Sequence, residues 1–271
     1  MCSTTSSNRE FLLPIFLLGF LFGLKFAYFF EYWYNIRAQK GGLYMNLSRL
    51  ESLVGNEVVE KISKLKILVL GLGGVGGYAL EALVRSGVSN LTIVDGDTIK
   101  PSNINRQIIA TSKNNNKYKT KEWKKRIKRI NPDAIVNIIN THITEDNMEV
   151  LFSDNYDYII DCCDTSKVKI KLVTECDKKG IKLISSMGMA NKLDPTQIKI
   201  STLDKTDTDP LAKKIRRELG SKNKELMKNV KVVYSDEKAI NNVELGSVAY
   251  VPSVAGLYIC KIIVDDIIEN K

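Results

Sequence analysis

The sequence predicts an α/β fold in which a mostly parallel sheet is covered by helices on both faces. From residue 45 onward, short apolar runs alternate with stretches of helical periodicity. A glycine-rich turn joins the first apolar run to a long helical stretch, as in Rossmann-like folds. The chain has 271 residues, of which 44% are hydrophobic and 26% charged, so it can bury the core of one large or two small domains.

Residues 1–44 differ from the rest of the chain. Residues 11–30 are apolar except for Lys25 and are long enough to span a bilayer, and the basic residues after them place the remainder in the cytoplasm. The alternative is a start codon assigned too far upstream. The codons for Lys-Gly-Gly at 40–42 can spell a bacterial ribosome-binding site just before Met45. We therefore expect either a membrane anchor or an untranslated extension, followed by one domain over 45–271.

The alternating pattern predicts the elements of that domain in order. Five strands of the parallel sheet are predicted at Lys66–Leu70, 91–94, Ile135–Ile139, Tyr158–Asp161 and 182–185. Two further strands are predicted at 197–201 and 230–234, and two helices at Pro210–Leu219 and 254–268. The polar stretches 204–208 and 220–228 predict a surface loop or a mobile flap.

Composition excludes several kinds of chemistry. The single histidine, His142, rules out a metal site built from several histidines. The five cysteines form no CxxC pair, which argues against a zinc site and a disulfide framework and favours a reducing compartment. The net charge of +9 at pH 7 favours an anionic partner: a nucleotide, a nucleic acid or a membrane surface.

A glycine motif opens the first helix after a strand. Gly71, Gly73, Gly74 and Gly76 follow the apolar run KILVL, and the next strand ends at Asp95. Glycines in this position let the backbone approach phosphates, which the helix N-terminus attracts. The alternative is that these glycines only permit close packing of strand and helix. The strand, helix and acidic residue together favour a nucleotide site.

The run DGDTIKPSNINRQ at 95–107, with the glycine motif before it, resembles the ATP-binding core of the E1-like ThiF/MoeB/HesA adenylating family. The resemblance implies ATP and Mg²⁺ as cofactors and a homodimer. It implies these roles: Asp95 holds the ribose, Asn103 and Arg106 contact the triphosphate, Lys119 pairs with phosphate oxygens, Asp164 binds Mg²⁺, and Arg49 reaches the partner subunit's ATP.

Each of these side chains also has a structural interpretation. Asp95 and Asp164 stand at predicted strand ends, where they can serve as helix N-caps. Arg106 and Lys119 can be solvated surface charges. The joint spacing of the four residues is what favours a phosphate site.

Stretches between residues 185 and 256, among them SSMGMANKLDPT, resemble the tRNA-modifying branch of this family, and the likeness covers about residue 47 to the C-terminus. It implies adenylation of the threonyl carboxylate of N6-threonylcarbamoyladenosine in tRNA, followed by intramolecular cyclisation. Because the nucleophile belongs to the substrate, Cys162 and Cys163 are interpreted as packing residues. A sulfur-transfer protein is a further partner to consider.

Two other functions stay open. An enzyme of the same fold can activate a sulfur-carrier or ubiquitin-like protein, although the missing CxxC pairs count against the sulfur-carrier branch. An NAD(P)-binding oxidoreductase can share the glycine motif alone.

Two clusters of basic residues are candidates for binding tRNA phosphates, or else solvated helix faces. The first surrounds Trp123 and the second follows Pro210. Their candidate members are Lys124, Lys125 and Lys128 in the first, and Lys213, Lys214, Arg216 and Arg217 in the second.

Overall fold

A seven-stranded sheet forms the centre of the computed structural model, which describes residues 45–240 and 244–269. Along the sheet the strands lie in the order β3-β2-β1-β4-β5-β7-β6. All run parallel except β6, which pairs antiparallel with β7. The strands are β1 (Lys66–Leu70), β2 (Asn90–Val94), β3 (Ile135–Ile139), β4 (Tyr158–Asp161), β5 (Lys182–Ser186), β6 (Ile198–Thr202) and β7 (Lys231–Ser235).

Helices cover both faces of this sheet, so the central strands β1 and β4 are buried over nearly their whole length. In β1, Ile67 and Val69 belong to one core, and Leu68 and Leu70 belong to the other. The helices of the described residues are α1 (Ser48–Val54), α2 (Asn56–Lys64), α3 (Gly74–Arg85), α4 (Lys119–Ile130), α5 (Ser166–Lys178), α6 (Pro210–Leu219), α7 (Lys224–Lys228) and α8 (Tyr250–Glu269). The first core is formed with α2, α3, α4 and α8, and the second with α5, α6 and α7.

The strand order reverses between β1 and β4. The chain moves from β1 outward through β2 to β3 and then returns to β4 on the other side of β1. In open α/β sheets, ligands bind outside the carboxyl ends of the strands at such a switch point.

The structure confirms the predicted fold class, and the differences are local. The predicted strands shift by one residue at some ends, and the last helix begins at Tyr250 rather than 254. The prediction of a loop or mobile flap over 220–228 was wrong. Residues 224–228 form α7, whose Met227 is buried against the second core, and Thr206 is also buried and donates its hydroxyl to the Leu203 carbonyl. The apolar residues of this five-residue helix are too few to reveal helical periodicity in the sequence.

Both predictions for residues 1–44, the membrane span at 11–30 and the upstream start, lie outside the described residues. Within residues 45–240 and 244–269, every helix is too short or too polar to cross a membrane.

Candidate active site

A cleft of about 740 Å³ opens at the carboxyl edge of the sheet, at the switch between β1 and β4. Its size lies within the range of small-molecule sites. The loops after β1, β2, β3 and β4 form its walls, together with several residues between 100 and 107. It brings together these predicted nucleotide-site residues: Gly71, Gly73, Asp95, Asn103, Arg106, Lys119 and Asp164.

The glycines of the motif have different roles. Gly71 has φ +85°, and a Cβ atom there would lie 2.7 Å from the Cys162 carbonyl oxygen, so this position requires glycine. Gly73 precedes α3 and lines the cleft, so the N-terminus of that helix, with its unpaired backbone N–H groups, lies at the cleft. Gly74 packs against Pro252, and Gly76 packs beneath the Gly71 carbonyl. The packing interpretation therefore holds for Gly74 and Gly76, which do not line the cleft.

Asp95 directly follows β2, and its side chain binds the backbone of the glycine-rich turn after β1. Its carboxylate is buried and accepts hydrogen bonds from the backbone N–H groups of Leu72 and Asp97, both at 2.8 Å. Asp95 is therefore not a helix N-cap. It holds the backbone of the cleft wall in a fixed place, which preorganises the site.

Lys119 is the first residue of α4 and is buried in the cleft wall. Its ammonium lies 2.7 Å from Asp97 Oδ2 and 3.4 Å from Asp95 Oδ2. Burial alone would raise the pKa of Asp97, but the hydrogen bond and charge of Lys119 hold it below its ordinary value. The surface-charge interpretation of Lys119 is wrong, because only 6% of its side chain is exposed.

The segment between β2 and α4 carries Asn103 and Arg106. The buried Asn103 side chain accepts a hydrogen bond from the Lys100 N–H at 3.0 Å, which shapes a short 3₁₀ turn. Arg106 Nη1 donates to the Ser102 carbonyl at 2.8 Å and to Asn105 Oδ1 at 2.9 Å. These bonds orient the guanidinium through one nitrogen while the side chain lines the cleft.

The loop after β4 carries Asp164 and two cysteines to the opposite wall. Asp164 is exposed to the cleft, and Thr165 rather than Asp164 precedes α5, so the N-cap interpretation of Asp164 is wrong. Burial raises the pKa of Cys162 to about 12 and also raises that of Cys163. Both cysteines line the cleft, whereas Cys176 and Cys260 are buried in the cores.

Sequence reasoning gave no role to Gln107 or Lys169. Gln107 lines the cleft and is 7% exposed, and its Oε1 is one of two buried side-chain polar atoms without a hydrogen-bond partner in the described residues. An orphaned acceptor in a cleft fits a bound ligand. Its position directly after Arg106 is the signal that could have found it. Lys169 is fully buried beneath the loop after β4, and nothing in the sequence distinguishes it from a surface lysine.

The cleft fits a nucleotide with its magnesium ion. Arg106 supplies positive charge, and Lys119 adds an ammonium that it shares with Asp95 and Asp97. Gly73 gives phosphates access to backbone, and Gln107 has an acceptor without a partner. The described residues contain no group of three or more potential ligands placed to hold a metal alone. Magnesium bound to a nucleotide commonly uses one or two carboxylates and phosphate oxygens, and Asp164 in the cleft wall can supply one such carboxylate.

Arg49 and the candidate residues of the two basic clusters are not among the described residues that line the cleft. Arg49 is exposed on α1 and does not line the cleft formed by the described residues. In the α4 cluster, Lys125 pairs with Glu122 at 2.7 Å and Lys128 donates to the Pro132 carbonyl.

The cluster on α6 is divided between surface and interior. Arg216 is half-buried and binds Thr206 Oγ1. It therefore stabilises the fold locally and is not part of the exposed basic surface. Lys213 and Arg217 are exposed, and Lys214 donates to Ser166 Oγ at 2.8 Å, beside cleft residue Thr165.

The comparisons with known proteins agree with this geometry. The sequence model of the ThiF family matches residues 46–265. The chain belongs to the ThiF family. Within this family it is 40% identical to tRNA threonylcarbamoyladenosine dehydratase of Bacillus subtilis over 82% of this chain and 94% of that protein. It is 35% identical to the Escherichia coli enzyme of the same name over 75% of this chain and 78% of that protein.

A solved structure supports the same relationship. The crystal structure of E. coli tRNA N6-threonylcarbamoyladenosine dehydratase, TcdA, in complex with ATP superposes with a TM-score of 0.78 at 31% identity, covering 83% of this chain and 94% of that one. The ThiF-type fold predicted from the sequence is therefore confirmed.

Proposed function

We propose that this chain is an ATP-dependent tRNA threonylcarbamoyladenosine dehydratase. The observation that carries the proposal is the convergence of Gly73, Asp95, Arg106, Lys119 and Asp164 on one cleft in a ThiF-family chain. The similarity to dehydratases of this name extends over nearly the whole length of the B. subtilis protein. This extent favours the tRNA-modifying function over activation of a carrier protein and over NAD(P)-dependent oxidoreduction.

The reaction joins two anions, and the cleft is built to reduce their repulsion. The threonyl carboxylate, already ionised at pH 7, attacks the α-phosphate of ATP and pyrophosphate leaves. Arg106, Lys119 and the N-terminus of α3 place positive charge where negative charge accumulates. A nitrogen of the same substituent then attacks the activated carbonyl and AMP leaves, which closes the ring.

Magnesium is the proposed metal, and Asp164 is the residue that would hold it together with phosphate oxygens. Bound magnesium would screen charge on the phosphates. Asp95 would hold the ribose on the β2 side, so the phosphates would extend toward β4, where Asp164 lies.

This orientation of ATP, with its ribose near β2 and its phosphates near β4, favours entry of tRNA from the side of β4 and α6. Lys167 lines the cleft there, and Lys214 on α6 donates to Ser166 at the start of α5. Lys213 and Arg217 extend this positive surface along α6. We therefore assign tRNA phosphate contacts to the exposed Lys213 and Arg217 of α6, on the side of the cleft that Lys167 lines, rather than to α4. A homodimer in which Arg49 reaches the partner's cleft, and a docking sulfur-transfer protein, remain parts of this proposal.

The test is AMP formation by the purified chain with tRNA carrying threonylcarbamoyladenosine. We expect AMP release that depends on this modified tRNA, together with conversion of the nucleoside to its dehydrated form by mass spectrometry prepared without alkaline steps. Pyrophosphate exchange that instead requires a small protein ending in Gly-Gly would identify a carrier-activating enzyme. Tight NAD binding without any exchange would identify an oxidoreductase.

A further inference from the structure

A fully buried ion pair lies beneath the loop that carries Asp164. Lys169 Nζ lies 2.9 Å from Asp161 Oδ2, and the two side chains are 2% and 0% exposed. The ammonium also donates to Ser185 Oγ at 3.2 Å and to the Ser186 carbonyl at 2.8 Å. These bonds connect α5 to the carboxyl ends of β4 and β5.

The same network extends into the cleft wall. The second oxygen of Asp161, Oδ1, accepts the backbone N–H of Cys163 at 3.1 Å, one residue before Asp164. On the other side of the loop, the Cys162 N–H donates to the Leu70 carbonyl at 2.8 Å. The orientation of the loop is therefore set from below by Asp161. Asp161 Oδ2 is held in turn by Lys169 Nζ at 2.9 Å and by Ser185 Oγ, which donates to it at 2.7 Å.

The cost of this arrangement indicates a role beyond stability. A buried ion pair loses so much hydration that apolar residues of similar size often stabilise a protein equally well. Burial alone would lower the pKa of Lys169, but the charge of Asp161 raises it above its ordinary value, so the lysine is charged at neutral pH. A charged pair fixes direction through hydrogen bonds, which apolar packing cannot do.

We propose that Lys169 is a positioning residue that acts through Asp161 to hold the Asp164 carboxylate where it meets the magnesium ion of bound ATP. This inference rests on the proposed function, because that function assigns magnesium to Asp164. Residues that orient a metal ligand typically contribute 10- to 100-fold to metal affinity.

The experiment measures binding of a fluorescent ATP analogue to the full chain, with Mg²⁺ and with EDTA. We define the magnesium gain as the dissociation constant in EDTA divided by the dissociation constant with Mg²⁺. We expect Lys169→Met to reduce this gain about 10- to 100-fold while binding in EDTA stays unchanged. We expect Asp164→Ala to reduce the gain as well. We expect Lys169→Arg to restore part of the gain, because it returns a cation to Asp161.

The chain offers a matched control in a second buried pair. Lys192 is 4% exposed and lies 3.5 Å from Asp209, which is 0% exposed, outside the cleft. Lys192→Met should lower the free energy of unfolding in a comparable way and leave the magnesium gain intact. An equal loss of the gain in Lys192→Met would show a general effect of destabilisation and overturn the proposal.

A second variant covers the case in which Lys169→Met does not fold. Asp161→Val combined with Lys169→Met removes both buried charges and the acceptor for the Cys163 N–H, so no charge is left uncompensated. We expect a folded protein without the magnesium gain. A gain of wild-type size in either folded variant, or in Asp164→Ala, would overturn the inference. AMP formation by the wild type tests the proposed function separately, so the two failures are distinguishable.

Discussion

Arg106→Ala removes one positive charge from the cleft and leaves the cores unchanged. The intramolecular bonds of Arg106 go to Ser102 and Asn105, which are both exposed. Losing hydrogen bonds to exposed groups should lower the free energy of unfolding by less than about 1 kcal/mol. The variant should therefore fold normally, so that a loss of activity reports on the site.

The size of the activity loss follows from electrostatics. A guanidinium about 4 Å from a phosphate oxygen contributes about 4 kcal/mol at an effective dielectric constant of about 20. Each 1.36 kcal/mol corresponds to about tenfold in rate, so full loss amounts to about three decades. Arg106 is half-buried, and solvent screening reduces the value, so we expect a fall in kcat/KM of about 100- to 1,000-fold.

The assay follows conversion of labelled ATP to AMP in the presence of modified tRNA, with thermal unfolding by circular dichroism on the same samples. Arg129→Ala is the matched control, because Arg129 is an exposed arginine on α4 outside the cleft. It should retain nearly full activity. A folded Arg106→Ala protein with a rate within about threefold of the wild type would refute the phosphate-site assignment.

Three further predictions test the remaining parts of the site and fold. Replacing all five cysteines by serine should leave turnover within about tenfold, measured as AMP formation, because packing losses are the only cost. Lys213→Glu with Arg217→Glu should reduce the slope of log tRNA affinity against log salt by roughly 0.7 to 0.9 for each tRNA phosphate that is no longer neutralised, while Lys124→Glu leaves the slope unchanged. Burial alone would raise the pKa of Glu81, but hydrogen bonds led by Arg126 hold it below its ordinary value of 4.5. Glu81→Gln should therefore lower the free energy of unfolding by about 1 to 3 kcal/mol at pH 7, and the difference should disappear as the pH falls through that lowered pKa in denaturant titrations.

The fold was predictable because its signals are local. Each central strand is a continuous apolar run bounded by polar residues, and the glycine motif marks the first turn. The cleft residues were predictable because the carboxyl ends of parallel strands share one edge of the sheet. Asp95 and Asp164 stand directly beyond such ends or close to them, and so they meet in one cleft although the sequence separates them widely.

What the sequence could not reveal depends on interactions between distant segments. In the sequence, Lys169 cannot be distinguished from a lysine on the exposed face of a helix. Its pairing with Asp161 in the fold is what makes its burial possible. Arg216 stands in a basic run, yet its guanidinium is satisfied by Thr206 within the fold. Helix α7 is short, and its formation depends on packing of Met227 rather than on periodicity.

The two cysteines beside Asp164 bear on the route that we expect to the product. Burial raises the pKa of Cys162 to about 12, which keeps this thiol protonated and weakly nucleophilic at pH 7. The competing nucleophile is a nitrogen of the substituent that already bears the activated carbonyl. Such intramolecular groups reach effective concentrations of about 10⁵ M or more when well oriented. We therefore expect capture by the substrate nitrogen rather than by the thiol. The raised pKa of both thiols disfavours diversion of the activated carboxyl to a thioester.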